Sequence, residues 1–208
     1  MLRSASYFAA ASHLAALAFA GFALAPGTAP DDVRARVAWI AAHPARWAAG
    51  WGAFIAAGIG LVAWVVLVRR RLDPRGADEA LGDAVALSVV GLGLESAGHG
   101  VSALALPHLA RQLALDGVVA AEGAARLAST VLAPLAFAAA TLLVVRALAA
   151  SGLGGRAATL AGYVNVACAL AMTAAGLLEA GALIPVATAG VVLSLSVLTL
   201  TVGRAAGA

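Results

Sequence analysis

Residues 91–110 read GLGLESAGHGVSALALPHLA. Roughly 20 residues at about 1.5 Å each reach across the ~30 Å hydrocarbon core of a bilayer, and most of this stretch is apolar or small. Yet it carries Glu95, His99 and His108. Its reading as a membrane span with ionisable groups inside, or as something else, rests on the chain around it.

That chain is 63% hydrophobic and 11% charged, with mean hydropathy +0.99. Soluble domains average about 25% charged residues, so this is an integral membrane protein. All its basic residues are arginines. Without lysine, a retinal or lysine-aldimine chemistry is excluded. The net charge of +3 comes from loop arginines and suits anionic lipid, not nucleic acid. Cys168 is alone, so no intrachain disulfide forms.

Working outward, six segments reach or approach spanning length, at about 6–25, 47–68, 81–106, 127–145, 157–178 and 185–202. The expected fold is all-α: one polytopic transmembrane helical bundle over 1–208. The first segment is expected to stop at APGTAP and the third to be closed by Pro107. Pro134 is expected to kink the fourth, because proline lacks the N–H that a helix interior needs. The first segment also has signal-peptide features, with Arg3, an apolar run and ALA before Pro26. Its full spanning length and the proline after the cleavage position argue for retention as a span.

Arginines beside the helix ends orient the bundle. With the N-terminus inside, the cytoplasmic segments hold Arg3, Arg69, Arg70, Arg71, Arg75, Arg146, Arg156 and Arg204. The outer segments hold Arg34, Arg36, Arg46, Arg111 and Arg126. Both termini are therefore expected in the cytoplasm and the protein in a bacterial inner membrane. The outer connection 31–43 reads as a short surface helix capped by Asp31 or Asp32, with Val33, Val37 and Ile40 at helical spacing. Trp39, Trp47 and Trp51 suit the headgroup level. A faint echo of GLGLESAGHGVSALALP in AAGLLEAGALIP hints at duplicated hairpins, although alanine-rich segments match easily by chance.

Ser88, Gly91, Glu95, His99 and Ser102 share one helical stripe of the third segment. Asn165, Cys168, Met172, Gly176 and Glu179 do so on the fifth. Small and polar stripes mark interhelical contacts in lipid, and the two are expected to face each other or a shared interior. A charged acid at a helix centre costs about 2.5–3.5 kcal/mol on the insertion scale. Glu95 escapes part of that by keeping its proton or by pairing with a protonated His99.

Three readings follow for the polar cluster Glu95, His99, Glu179, Asn165, Ser88 and Ser102, which is expected in the outer half of the bundle. The first is packing, in which buried hydrogen bonds specify helix contacts. The second is a proton-linked carrier of small solutes, with His99 titrating near neutral pH. Six helices are few for such a carrier unless it forms a homo-oligomer. The third is a divalent-metal site, with zinc held by Glu95 and His99 at i and i+4 and completed by His108 or Glu179, as in an intramembrane hydrolase. No catalytic set is evident, since no Ser/His/Asp or Ser/Lys arrangement can be placed. The non-enzymatic readings are preferred, and no resident cofactor is expected.

At AAHPARWAAGWGAFIAAGIGLVAW, GLGLESAGHG and LPHLARQ the chain resembles a group of uncharacterised bacterial six-helix membrane proteins. In that group a His-Pro-x-x-Trp-x-x-Gly-Trp-like motif opens the second helix, matched here by His43, Pro44, Trp47, Gly50 and Trp51. The group's third helix tends to carry two acids a turn apart, where this chain has Glu95 and His99. The resemblance covers His43 to Arg111. It implies the six-helix architecture and brings no activity or site residue.

Overall fold

The structure, a computed structural model, describes residues 1–28, 32–73 and 78–207. Asp31, offered above as a cap, and Arg75, counted as cytoplasmic, lie outside the described residues. All the described elements are helical. Six are long and apolar enough to cross a membrane: α1 (Leu2–Thr28), α3 (Pro44–Leu72), α4 (Glu79–Arg111), α5 (Leu115–Ser151), α6 (Gly155–Leu177) and α7 (Leu183–Ala205). The seventh, α2 (Val33–Ala42), begins at Asp32, whose side chain accepts from Arg34 N at 3.0 Å. The expected surface helix is present.

Each span packs mainly against its neighbours in sequence, and α7 closes the ring onto α1. Both termini lie at one end, here the near end, where a Cβ on Gly203 would sit 2.6 Å from Ser6 Cβ. Two apolar cores stack along the bundle. The near-end core gathers Trp64, Val68, Val144, Leu148, Leu198 and Val202. The far-end core gathers Leu24, Val37, Ile40, Trp47, Leu106 and Val118, so that α2 lids it. The αL backbone of Gly152, Gly154 and Gly155 (φ 73°, 82° and 60°) makes the tight near-end turn between α5 and α6, a conformation that other residues resist.

α1 ends at Thr28, within the APGTAP stretch expected to stop it, whereas α4 continues through Pro107, where a helix end was expected. Each of Pro26, Pro107 and Pro134 follows a π-helical stretch, Ala20–Leu24, Val101–Ala105 and Leu127–Leu132 respectively, with one residue between. Widening the turn lets the helix pass the proline ring without breaking, but it cannot supply the missing N–H. In the five-residue register, position 107 would donate to the Ser102 carbonyl. Trp47 Nε1 of α3 donates to that oxygen instead, at 2.6 Å. Arg46 of α3 donates to Phe22 O, within the widened stretch of α1. The opening of α3 thus carries, on adjacent residues, side-chain donors to carbonyls of two widened helices, and Trp47 replaces the donor that Pro107 lacks. This gives a physical role to part of the His-Pro-x-x-Trp motif.

Candidate functional site

Glu95 is the midpoint of α4, sixteen residues from either end, or about 24 Å along the axis. Glu95 Oε1 lies 3.6 Å from His99 Nε2, with the two side chains 16% and 8% exposed. That is an ion-pair distance, too long for a good hydrogen bond.

Two features of α3 hold the pair. Gly58 lies under the Glu95 carboxylate, where any Cβ would collide with Oε2 and come within 3.0 Å of Leu92 Cδ1. One turn outward, the His99 ring packs against both Trp51 (centroids 4.8 Å, 28°) and Phe54 (5.4 Å, 42°). Trp51 continues through Trp47 and Trp39 to His43 at the far-end surface. On its other side α4 is pressed onto α5, with Gly91 against Phe137 and Gly98 against Ala125 O and Ser129.

The pair occupies the layer where the two apolar cores meet: Trp51 and Phe54 border the far-end core, and Gly58 lies one turn from Leu61 of the near-end core along α3. In that layer Glu95 Oε2, His99 Nδ1 and Trp51 Nε1 are all buried without a hydrogen-bond partner among the described residues. Buried polar atoms are nearly always partnered, so three together single out this place.

His13 on α1 is buried, at the level where its neighbour Ser12 faces Gly60 of α3, two residues from Gly58. His13 Nδ1 lies 2.7 Å from Ala9 O. A carbonyl only accepts, so Nδ1 carries the hydrogen and Nε2 is the exchangeable nitrogen. A signal was present: His13 shares a buried face with Ser6, Ala9 and Ala16.

The other candidates scatter. Ser88 Oγ donates to its own helix at Ala84 O, 2.7 Å away. Ser102 contributes its carbonyl to Trp47. His108 is exposed. Glu179 is exposed and ion-paired to Arg126 at 2.5 Å, outside the layer of Glu95 and His99. Asn165 fastens α6 to α7, donating to Val191 O at 2.9 Å and Ser194 Oγ at 3.2 Å. The two small-residue stripes therefore do not pack on each other. That of α4 meets α5 through Gly91, whereas that of α6 meets α7 through Asn165 and Cys168, and α5 through Gly176. Sequential packing around the ring is the reason: α4 and α6 are each flanked by their own chain neighbours.

Among the described residues no three His, Cys, Asp or Glu side chains come together to hold a metal ion. The proposed third ligands, His108 and Glu179, point elsewhere. The chemistry within reach of Glu95 and His99 is proton exchange between a carboxylate and an imidazole.

No protein-family model, curated protein or solved structure matches this chain. The fold defines it as a multi-pass helical membrane protein.

Proposed function

We propose that this is a non-enzymatic protein of the bacterial inner membrane, with both termini in the cytoplasm, that couples proton binding at Glu95 and His99 to movement of a small solute. The sidedness rests on the arginine count beside the helix ends. The proton-linked role rests on one observation: Glu95 Oε2 and His99 Nδ1 are buried at mid-span and unpartnered. A pair kept for packing alone would satisfy its hydrogen bonds, because each open one is costly away from water. A pair that takes up and releases protons needs open positions. His13 Nε2 on α1 offers a third exchangeable site near that level.

The test uses protein reconstituted into dye-loaded vesicles of phosphatidylethanolamine and phosphatidylglycerol. An acid pulse is applied with and without an external pool of amino acids, organic acids and sugars. Proton entry should be stimulated by the pool and abolished in Glu95→Gln, while that variant stays monodisperse and helical. Stimulated entry that survives unchanged in Glu95→Gln removes the reading, as does the absence of any response in the wild type.

A further inference from the structure

The two ends of the bundle treat their arginines differently. At the far end, Arg36 pairs with Glu122 at 2.8 Å and Arg126 with Glu179 at 2.5 Å. Arg46 donates to Phe22 O and lies over the Phe22 and Trp39 rings, and Arg111 donates to Pro107 O at 3.2 Å. At the near end, none of Arg69, Arg70, Arg71, Arg146, Arg156 and Arg204 lies within 4.0 Å of a carboxylate among the described residues. Set against Asp73, Asp78, Glu79 and Asp83 in the α3–α4 region, that end therefore keeps an excess of arginine.

One of these arginines stands at the mouth of a groove. On the outward side of the α5–α6 hairpin, a groove of about 500 Å³ is walled by Leu148, Ala149, Leu160 and Tyr163, with Arg156 at its near-end rim. Leu160 and Tyr163 are 67% and 46% exposed. Arg156 is the second residue of α6, and Leu160 and Tyr163 follow one and two turns deeper. A cation at the membrane plane with an apolar trough below it is complementary to an amphipathic anion. A water-soluble anion would leave the trough unfilled, and a zwitterionic lipid would bring a second cation towards Arg156.

We propose that this groove selectively binds an anionic phospholipid of the phosphatidylglycerol class. Arg156 takes the phosphate and one acyl chain runs between Leu148, Leu160 and Tyr163. The site is separate from the Glu95 layer, so its test is independent of the proton-linked reading.

The experiment is native mass spectrometry of the full chain released from detergent, with phosphatidylglycerol and phosphatidylcholine of identical acyl chains competing for it. One arginine near the membrane surface favours the anionic lipid by about fivefold. The wild type should show a preference of that order. Arg156→Gln should bring it towards unity, whereas Arg204→Gln, at the same end but outside the groove, should retain it. Arg156 is exposed and unpartnered, so the variant should fold, which circular dichroism checks. The proposal is overturned by the absence of a preference in the wild type, by a preference that survives in Arg156→Gln, or by equal losses in both variants, which would mean diffuse attraction. Displacement of the bound lipid by inorganic phosphate alone would also overturn it, because the site would then read only the anion.

Discussion

Replacing Trp47 with phenylalanine removes one N–H from a buried place and leaves most of an aromatic ring. Trp47 is 2% exposed and its indole donates at 2.6 Å to the Ser102 carbonyl. In the widened register of α4 that carbonyl loses its backbone donor because residue 107 is proline. An unsatisfied buried acceptor costs about 1–3 kcal/mol. The smaller ring also loses packing, which Trp51→Phe controls for: Trp51 is in the same aromatic row, and its Nε1 has no partner to lose. Unfolding in a mixed-micelle denaturant titration followed by circular dichroism should therefore place Trp47→Phe below Trp51→Phe by about 1–3 kcal/mol. The Trp47→Phe penalty should shrink in a Pro107→Ala background, where the backbone regains its N–H. Equal costs for the two tryptophan variants, or an undiminished penalty without the proline, would refute the account of why α4 passes through Pro107.

Four further outcomes follow from the contacts. Gly98→Ala would set a Cβ 2.7 Å from Ala125 O and 2.7 Å from Ser129 Cβ; since backbone cannot swing aside, thermal unfolding should show a loss of about 1–3 kcal/mol, while Gly93→Ala, with open space around it, should be neutral. Gly58→Ala meets the flexible end of Glu95 instead of backbone, so it should fold normally yet weaken the pool-stimulated proton entry by displacing the carboxylate. Asn165→Ala loses both bonds to α7 and should cost about 0.6–2 kcal/mol in the same denaturant titration. Arg36→Gln breaks the two-point contact of Arg36 with Glu122; global stability should fall by no more than about 1 kcal/mol, while hydrogen exchange in α2 should quicken.

Hydropathy made the six spans legible because every backbone group in lipid must be satisfied within its own helix, so long apolar runs have few alternatives. The surface helix was legible from Asp32 and the spacing of Val33, Val37 and Ile40. The helix end at Pro107 was misread for a tertiary reason. A proline interrupts an isolated helix, but here Trp47 on another span supplies the missing donor to Ser102 O, and no local rule reveals that. The Glu95–His99 pair was visible as two ionisable residues one turn apart. The level of His13 was not, because it depends on α1 lying beside α3. Glu179 was read as part of the cluster from its helical face, yet it ends a helix beside Arg126, where a surface ion pair claims it.

The arrangement of rigid and open regions along the bundle bears on how a proton could do work there. The far end is clamped, since α2, α3 and the proline-widened turns of α1 and α4 share the Arg46 and Trp47 donors over one apolar core. The near end is packed around Trp64, whose Nε1 is held by Ser6 Oγ at 3.0 Å. Between them the contact of α3 with α4 is made by Gly58 and a carboxylate whose second oxygen has no partner. Local rearrangement is cheapest where few fixed contacts must break. Adding or removing a proton at Glu95 changes the charge that faces Gly58 and His99 in that layer, without disturbing either core. A shift of α3 against α4 about this level would leave the Trp47 and Trp64 hydrogen bonds in place, and it is the motion to which a proton at Glu95 would couple most directly.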